Sequence, residues 1–221
     1  MTAQDPVVIV IAKAPVAGRV KTRCTPPCSP VQAAQLAEAA LVDTLTVVDA
    51  CSAGRVVIAL DGAPGSWLPA RFEVHPQREG SLGDRLDHAF RSVAAPAFLI
   101  GMDTPQVTVQ MIERALDELR SAAGPDALVG PCEDGGFWSL GLRDPAADLC
   151  HTVPMSRADT CASLGRRIRS RQMTCGLLPM LIDVDDFPTA LKVAAASSGS
   201  GFAATVNRVA TQIVDSTREV A

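Results

Sequence analysis

Two of the chain's three lysines, Lys13 and Lys21, fall in one short stretch with Arg19 and Arg23, in a sequence that otherwise favours arginine, 17 Arg against 3 Lys. Lysine is a compact, rotatable point charge and arginine a rigid planar fork, so keeping lysine in this one place gives its shape a purpose. The stretch runs Lys13-Ala-Pro-Val-Ala-Gly-Arg-Val-Lys-Thr-Arg23 and carries one glycine, Gly18, that would let backbone approach an anion. Cations around a glycine suit phosphate oxygens; the same residues also suit a solvated basic loop. Neither the P-loop spacing nor GxGxxG is present, so neither an ordinary NTPase nor a dinucleotide-binding domain is supported.

Acids supply the complementary chemistry. Gly101-Met102-Asp103-Thr104-Pro105 puts a carboxylate directly after an apolar run. There Asp103 reads either as a turn former before proline or as a ligand for Mg²⁺ or Mn²⁺, hard cations that share carboxylate oxygens with substrate phosphates. Asp183-Val184-Asp185-Asp186 is a second cluster; Asp183 and Asp185 point the same way if the segment is extended, and Asp186 suits the cap of the following helix. Glu133-Asp134-Gly135-Gly136-Phe137-Trp138 joins two acids, two glycines and two aromatics. It reads as a tight hairpin over a packed aromatic, or as an acceptor pocket in which the acids meet hydroxyls. Gln77 and Gly80 lie in a further glycine-bearing segment before a helix, where a glutamine could read a nucleobase edge.

These loops need a frame. Val7 to Ala12, Arg55 to Leu60 and Ala97 to Gly101 are short, continuous apolar runs, the pattern of strands buried on both faces. Arg71 to Val74, Asp126 to Gly130, Phe137 to Leu142 and Met173 to Leu178 read as further strands. Helices are predicted from Ser29-Pro30-Val31-Gln32, a capping box with proline at the first helical position, to about Cys51. Others cover Leu82 to Val93, Val107 to Arg120, Ser156 to Ser170 with a capping pattern at Ser156, and Pro188 to Ala196. Alternation of strands and helices implies an α/β sandwich with a mostly parallel central sheet. Its ligand belongs outside the carboxyl ends of the strands, which selects the loops after Lys13, Asp61, Met102 and Pro131.

Composition bounds the function. A chain of 221 residues, 48% apolar and 20% charged, has globular composition. A net charge of −4 argues against a general nucleic-acid binder. No apolar run approaches the roughly 20 residues of a membrane span, and the start lacks the basic region of a secretory signal, so a cytoplasmic protein without membrane insertion is expected. Seven scattered cysteines without a CxxC read as buried free thiols. His75, His88 and His151 are isolated, and the absence of tyrosine removes tyrosine acid/base chemistry.

Taken together, Ala12 to Arg23 (AKAPVAGRVKTR), GMDTP and Gly130 to Arg143 (GPCEDGGFWSLGLR) resemble the nucleotide-diphospho-sugar transferase superfamily, the GT-A fold. Within it the chain looks like a bacterial transferase family tied by gene context to radical-SAM and arsenosugar pathways and often labelled a glycosyltransferase. More distantly it is similar to guanylyltransferases acting on molybdopterin and on 2-phospho-lactate. The resemblance covers about residues 7 to 195. It implies that Lys13, Gly18, Arg19, Lys21 and Arg23 hold donor phosphates, with Gln77 and Gly80 near the base. It further implies a metal site of Asp103 and Asp185, with Asp183, and an acceptor site of Glu133, Asp134 and Gly135; Lys21, Asp103 and Asp134 would be catalytic. Two departures stand out: Cys24 where the family usually has leucine, and Asp185-Asp186-Phe187-Pro188 in place of Asp-Thr-Pro.

The expected function is therefore a metal-dependent transferase that takes an NTP or a nucleotide sugar to a small-molecule acceptor, by nucleotidyl or glycosyl transfer. The alternative is a nucleotide-binding module of the same fold without turnover. The domain is expected over 1–196, with a flexible linker at 197–201. An amphipathic helix follows over 202–221, on which Phe202, Val206, Val209 and Ile213 draw one apolar stripe. That stripe needs a partner surface, on its own domain or on a second subunit, giving a monomer or a homodimer.

Overall fold

A computed structural model describes residues 4–220. Seven strands form one sheet: β1 (Val7–Lys13), β2 (Val56–Asp61), β3 (Glu73–Pro76), β4 (Ala97–Gly101), β5 (Ala127–Pro131), β6 (Phe137–Leu142) and β7 (Cys175–Leu177). The helices are α1 (Pro30–Asp49), α2 (Leu82–Val93), α3 (Val109–Arg120), α4 (Thr160–Ser170), α5 (Phe187–Ala196) and α6 (Gly201–Val220). The strand order is β3-β2-β1-β4-β6-β5-β7. All pairings are parallel except those of β6, which runs antiparallel to both β4 and β5. The architecture is thus the mixed α/β, mostly parallel sandwich that the alternation of elements predicts.

The strands at the centre of the sheet are apolar at nearly every position because both faces are covered. Val8 and Val10 point into one cluster with Leu41, Leu45, Ile112 and Leu116 of α1 and α3. Val7 and Ile9 point into the other, with Leu86, Phe90, Leu164 and Ile168 of α2 and α4. Continuous apolar runs of this kind belong to sheets buried on both sides.

Helix starts follow local chemistry. Ser29 and Gln32 make the capping box that opens α1, and Asp186 with Thr189 makes the one that opens α5. The helix predicted from Ser156 begins only at Thr160. Ser156 is left-handed (φ 58°), and the Thr160 hydroxyl accepts from the Arg157 amide and donates to the Pro154 carbonyl, turning the chain before the helix starts. The last strand is shorter than Met173 to Leu178, because β7 is an edge strand paired with β5 over three residues.

A third cluster lies outside the sheet sandwich, where Phe202, Val206 and Val209 of α6 pack on Ala33, Leu36 and Ala40 of α1 and on Ala190 and Val193 of α5. The helix begins at Gly201, capped by the Ser200 hydroxyl, and the Phe202 amide donates to Asp43 at 2.7 Å. Thus α1 is covered on two sides. The sequence holds no unbroken apolar run of membrane-span length, and α1 itself carries Glu38, Asp43 and Asp49, but its most apolar 18 residues reach a mean hydropathy of 1.2, enough to cross a membrane by length and composition alone. Its apolar residues are those of a helix buried between a sheet and a second helix layer.

Candidate active site at the strand-end edge

The carboxyl ends of the parallel strands and the first residue of antiparallel β6 meet at one edge of the sheet. Lys13 ends β1, Asp61 ends β2, Gln77 follows β3, Asp103 follows β4, and Asp134 and Phe137 flank the turn into β6. The loop with Asp183 and Asp185 is stitched in beside them. The Val184 amide donates to the Asp103 carbonyl at 2.9 Å, Gln106 Nε2 to the Ile182 carbonyl at 2.6 Å, and the Glu133 amide to the Leu181 carbonyl at 3.0 Å.

Two adjoining cavities open there. A cavity of about 340 Å³ is lined by the cationic loop, including Lys13, Arg19, Lys21 and Arg23, together with Asp103 and Asp185. A larger one, of about 480 Å³, is lined by the acids Asp103, Asp134, Asp183 and Asp185 and by the apolar Leu82, Leu86, Phe137 and Met155. Lys13, Arg23, Met102, Asp103 and Asp185 line both.

Inside these cavities charge is already paired. Lys21 Nζ lies 2.5 Å from Asp103 Oδ1 and donates to the Val184 carbonyl, and its side chain is only 7% exposed. Arg23 pairs with Asp185, more openly. Lys13 sits 3.5 Å from Asp61. Asp183 is pushed up to about 7 by its own burial first and by the negative charge of Asp103 next, with Lys21 pulling the other way. The Cys132 thiol beside it is pushed up, chiefly by burial.

Some expected site residues have other roles. Gln77 lines the larger cavity, yet its amide donates to the carbonyls of Ala12 and Ala59, each at 2.8 Å, and accepts from Arg85 Nη1 at 2.9 Å. Both of its N–H groups are engaged, so it ties β1, β2 and α2 together rather than offering a donor to a base. Glu133 points to Lys192 at 3.1 Å and lines neither cavity. Gly135 (φ 87°) is required by packing: a Cβ there would lie 1.9 Å from the Ala158 carbonyl oxygen. Gly80 (φ 127°) turns the chain above Asp84, and Gly18 (φ 77°) turns the cationic loop, with open space around it. Asp134 lines the larger cavity and accepts from the Gly136 amide at 2.9 Å.

The three aspartates expected to bind metal do not form a ready-made cage. Among the described residues no group of three His, Cys, Asp or Glu side chains is placed to hold an ion. Two of the three are paired with cations, Asp103 with Lys21 and Asp185 with Arg23. The donor set nevertheless fits a hard divalent cation, because its oxygens are carboxylates and Asp183 is a partly buried acid crowded by a second negative charge.

Sequence reasoning missed Arg85, Met155 and Arg157, all on the wall of the larger cavity. Arg85 lies in the glycine-bearing segment from which the sequence singles out Gln77 and Gly80. Met155 and Arg157 lie in the irregular stretch that the sequence assigns partly to helix.

This arrangement is that of a nucleotide-diphospho-sugar transferase-like fold. A proposed nucleotide-diphospho-sugar transferase from Desulfovibrio desulfuricans G20 matches with a TM-score of 0.84 at 21% identity, over 96% of this chain and 98% of that one. CMP:2-keto-3-deoxy-manno-octonic acid synthetase complexed with CTP matches with a TM-score of 0.58 at 13% identity, over 89% and 99%. The protein Rv0371c of Mycobacterium tuberculosis H37Rv, in complex with manganese, matches with a TM-score of 0.55 at 18% identity, over 87% and 98%. No curated protein sequence matches. The chain belongs to the family described as "Uncharacterized protein conserved in bacteria (DUF2064)", whose profile matches residues 32–157.

Proposed function

We propose that this protein is a metal-dependent transferase that uses a nucleotide donor, an NTP or a nucleotide sugar, and acts on a small-molecule acceptor. One observation carries the reading: a cationic cavity and a carboxylate-bearing cavity adjoin at the strand-end edge and share Asp103, Asp185, Arg23 and Lys13. In this reading Lys13, Arg19, Lys21 and Arg23 hold the donor phosphates and disperse the charge that builds on the leaving group. Asp103 and Asp183, with Asp185, would hold Mg²⁺ or Mn²⁺, which neutralises phosphate charge when bound. Asp134, on the wall of the larger cavity, orients an acceptor hydroxyl beside Phe137. The manganese and CTP found with two fold neighbours support the choice of ligands to test.

The test is a thermal-shift panel of NTPs and nucleotide sugars, each with and without Mn²⁺. A donor present at 100 times its Kd stabilises by about 2.7 kcal/mol. At least one donor is expected to raise the melting temperature only with metal; no shift from any of them overturns the reading. Pyrophosphate exchange in the presence of the binding donor identifies nucleotidyl transfer, and release of a nucleoside diphosphate identifies glycosyl transfer.

A further inference from the structure

The cations and acids of this edge are partnered with each other in a selective way. Lys21 sits on Asp103 and on the Val184 carbonyl, with its side chain almost wholly covered, and Arg23 sits on Asp185. Lys13, in the same cavity, is paired away from the acid cluster, with Asp61. Lys21 holds a left-handed backbone (φ 47°, ψ 37°), a region that residues other than glycine seldom occupy and that surrounding contacts must maintain. Those two contacts, together with the Cys24 amide that donates to the Lys21 carbonyl at 2.9 Å, hold it there. The Val184 amide also bonds the Asp103 carbonyl, so Lys21, Asp103 and the Asp183–Asp185 loop form one closed unit.

We propose that the Lys21–Asp103 and Arg23–Asp185 pairs are a latch that opens by exchange of partners, admitting a divalent cation and a polyphosphate together and excluding either one alone. The argument is one of uncompensated charge. A cation that took Asp103 by itself would leave the covered ammonium of Lys21 without a counter-charge. A polyphosphate that took Lys21 by itself would leave Asp103 beside Asp183 without its ammonium partner, Lys13 being held by Asp61 and Arg23 by Asp185. The cost lies mainly with Lys21, whose side chain is 7% exposed against 42% for Asp103, because an uncompensated charge is costly where it is covered. When the two ligands arrive as a complex, every charge exchanges one partner for another: the carboxylates pass to the metal, and Lys21 and Arg23 pass to the phosphates. The coupling is reciprocal, each ligand tightening the other by the same factor. The inference deepens the nucleotide-donor reading, and rests on it only for the source of the polyphosphate.

Electron paramagnetic resonance of free Mn²⁺ tests the latch without turnover. Lys21→Met is expected to bind Mn²⁺ alone roughly tenfold or more tighter than the wild-type protein, since Asp103 is released. Lys13→Met removes the same charge from the same cavity and is expected to leave Mn²⁺ affinity near that of wild type. An equal gain in both variants would reduce the effect to general electrostatics and overturn the latch, as would no gain in Lys21→Met. A second arm needs no substitution. Calorimetry of the wild-type protein is expected to give roughly tenfold tighter binding for the preformed Mn²⁺–tripolyphosphate complex than for either component. Tripolyphosphate that binds equally well with and without Mn²⁺ also overturns it. Failure of the two readings is separable. Tripolyphosphate coupling without binding of any nucleotide would sink the donor assignment alone, whereas metal-independent nucleotide binding with no Mn²⁺ gain in Lys21→Met would sink the latch.

Discussion

Asp183 and Lys13 lie at the same edge of the sheet, and their surroundings give them opposite characters. Lys13 is half exposed beside Asp61, where water screens the pair and little stability results. Asp183 is partly buried and faces Asp103, so its carboxyl is pushed from the ordinary 3.8 up to about 7, by desolvation first and by the Asp103 charge next. The consequence for stability has a definite sign. Between those two values the folded protein keeps a proton that the unfolded chain releases, so stability falls as pH rises through that interval and levels off above it. Asp183→Asn cannot titrate. It should gain stability over the wild-type protein progressively from about pH 4.5 to about pH 7.5, in urea unfolding at matched ionic strength. A constant difference across that range would show that Asp183 ionises normally. The sequence singles out Lys13, Lys21, Asp103 and Asp183 by type and position. It cannot show that Lys21 lies on Asp103, because that contact is made only when β1 and β4 become neighbours in the sheet.

Elements were legible where local rules act alone. Ser29-Pro30-Val31-Gln32 specifies the start of α1, and the apolar runs ending at Ala12 and Gly101 specify buried strands. Legibility fails where tertiary contacts choose the conformation. The turn at Glu133–Gly136 reverses β6, as the hairpin reading of that segment has it, whereas the delayed start of α4 depends on Thr160 bonding back to Pro154. Gly135 joins these two places, since its backbone approaches Ala158 and its carbonyl accepts from the Cys161 amide at 2.8 Å. Gly135→Ala would drive a Cβ into the Ala158 carbonyl from a left-handed residue. We expect a loss of roughly 2–4 kcal/mol, read as a lower urea midpoint. Gly18→Ala meets no neighbour within 4 Å and should cost only the roughly 1–2 kcal/mol of the backbone conformation. Equal losses in the two variants would remove the role given to the Gly135–Ala158 contact.

At the scale of the whole molecule, the third cluster links the far end of the chain to the cationic loop. Phe202, fully buried, shares that cluster with Cys24 and Cys28, which lie at and just beyond the short 3₁₀ turn that follows Lys21. Burial pushes the Cys24 thiol up to about 11, in keeping with a packing role for both cysteines rather than reactivity. The two faces of the sheet are packed by other side chains, in clusters that contain none of these residues. Loss of the Phe202 ring should therefore act unevenly. Phe202→Ala is expected to cost about 3–5 kcal/mol, the usual range for a phenylalanine removed from a core. Amide exchange should accelerate first in α6, α5 and the segment around Cys24 to Cys28, while β1 and β4 keep their protection up to global unfolding. Because Lys21 and Arg23 sit on that same turn, affinity for a polyphosphate should fall together with the protection of Cys24. If exchange instead accelerates uniformly across sheet and helices, the third cluster is not a separable unit and α6 does not support the phosphate loop.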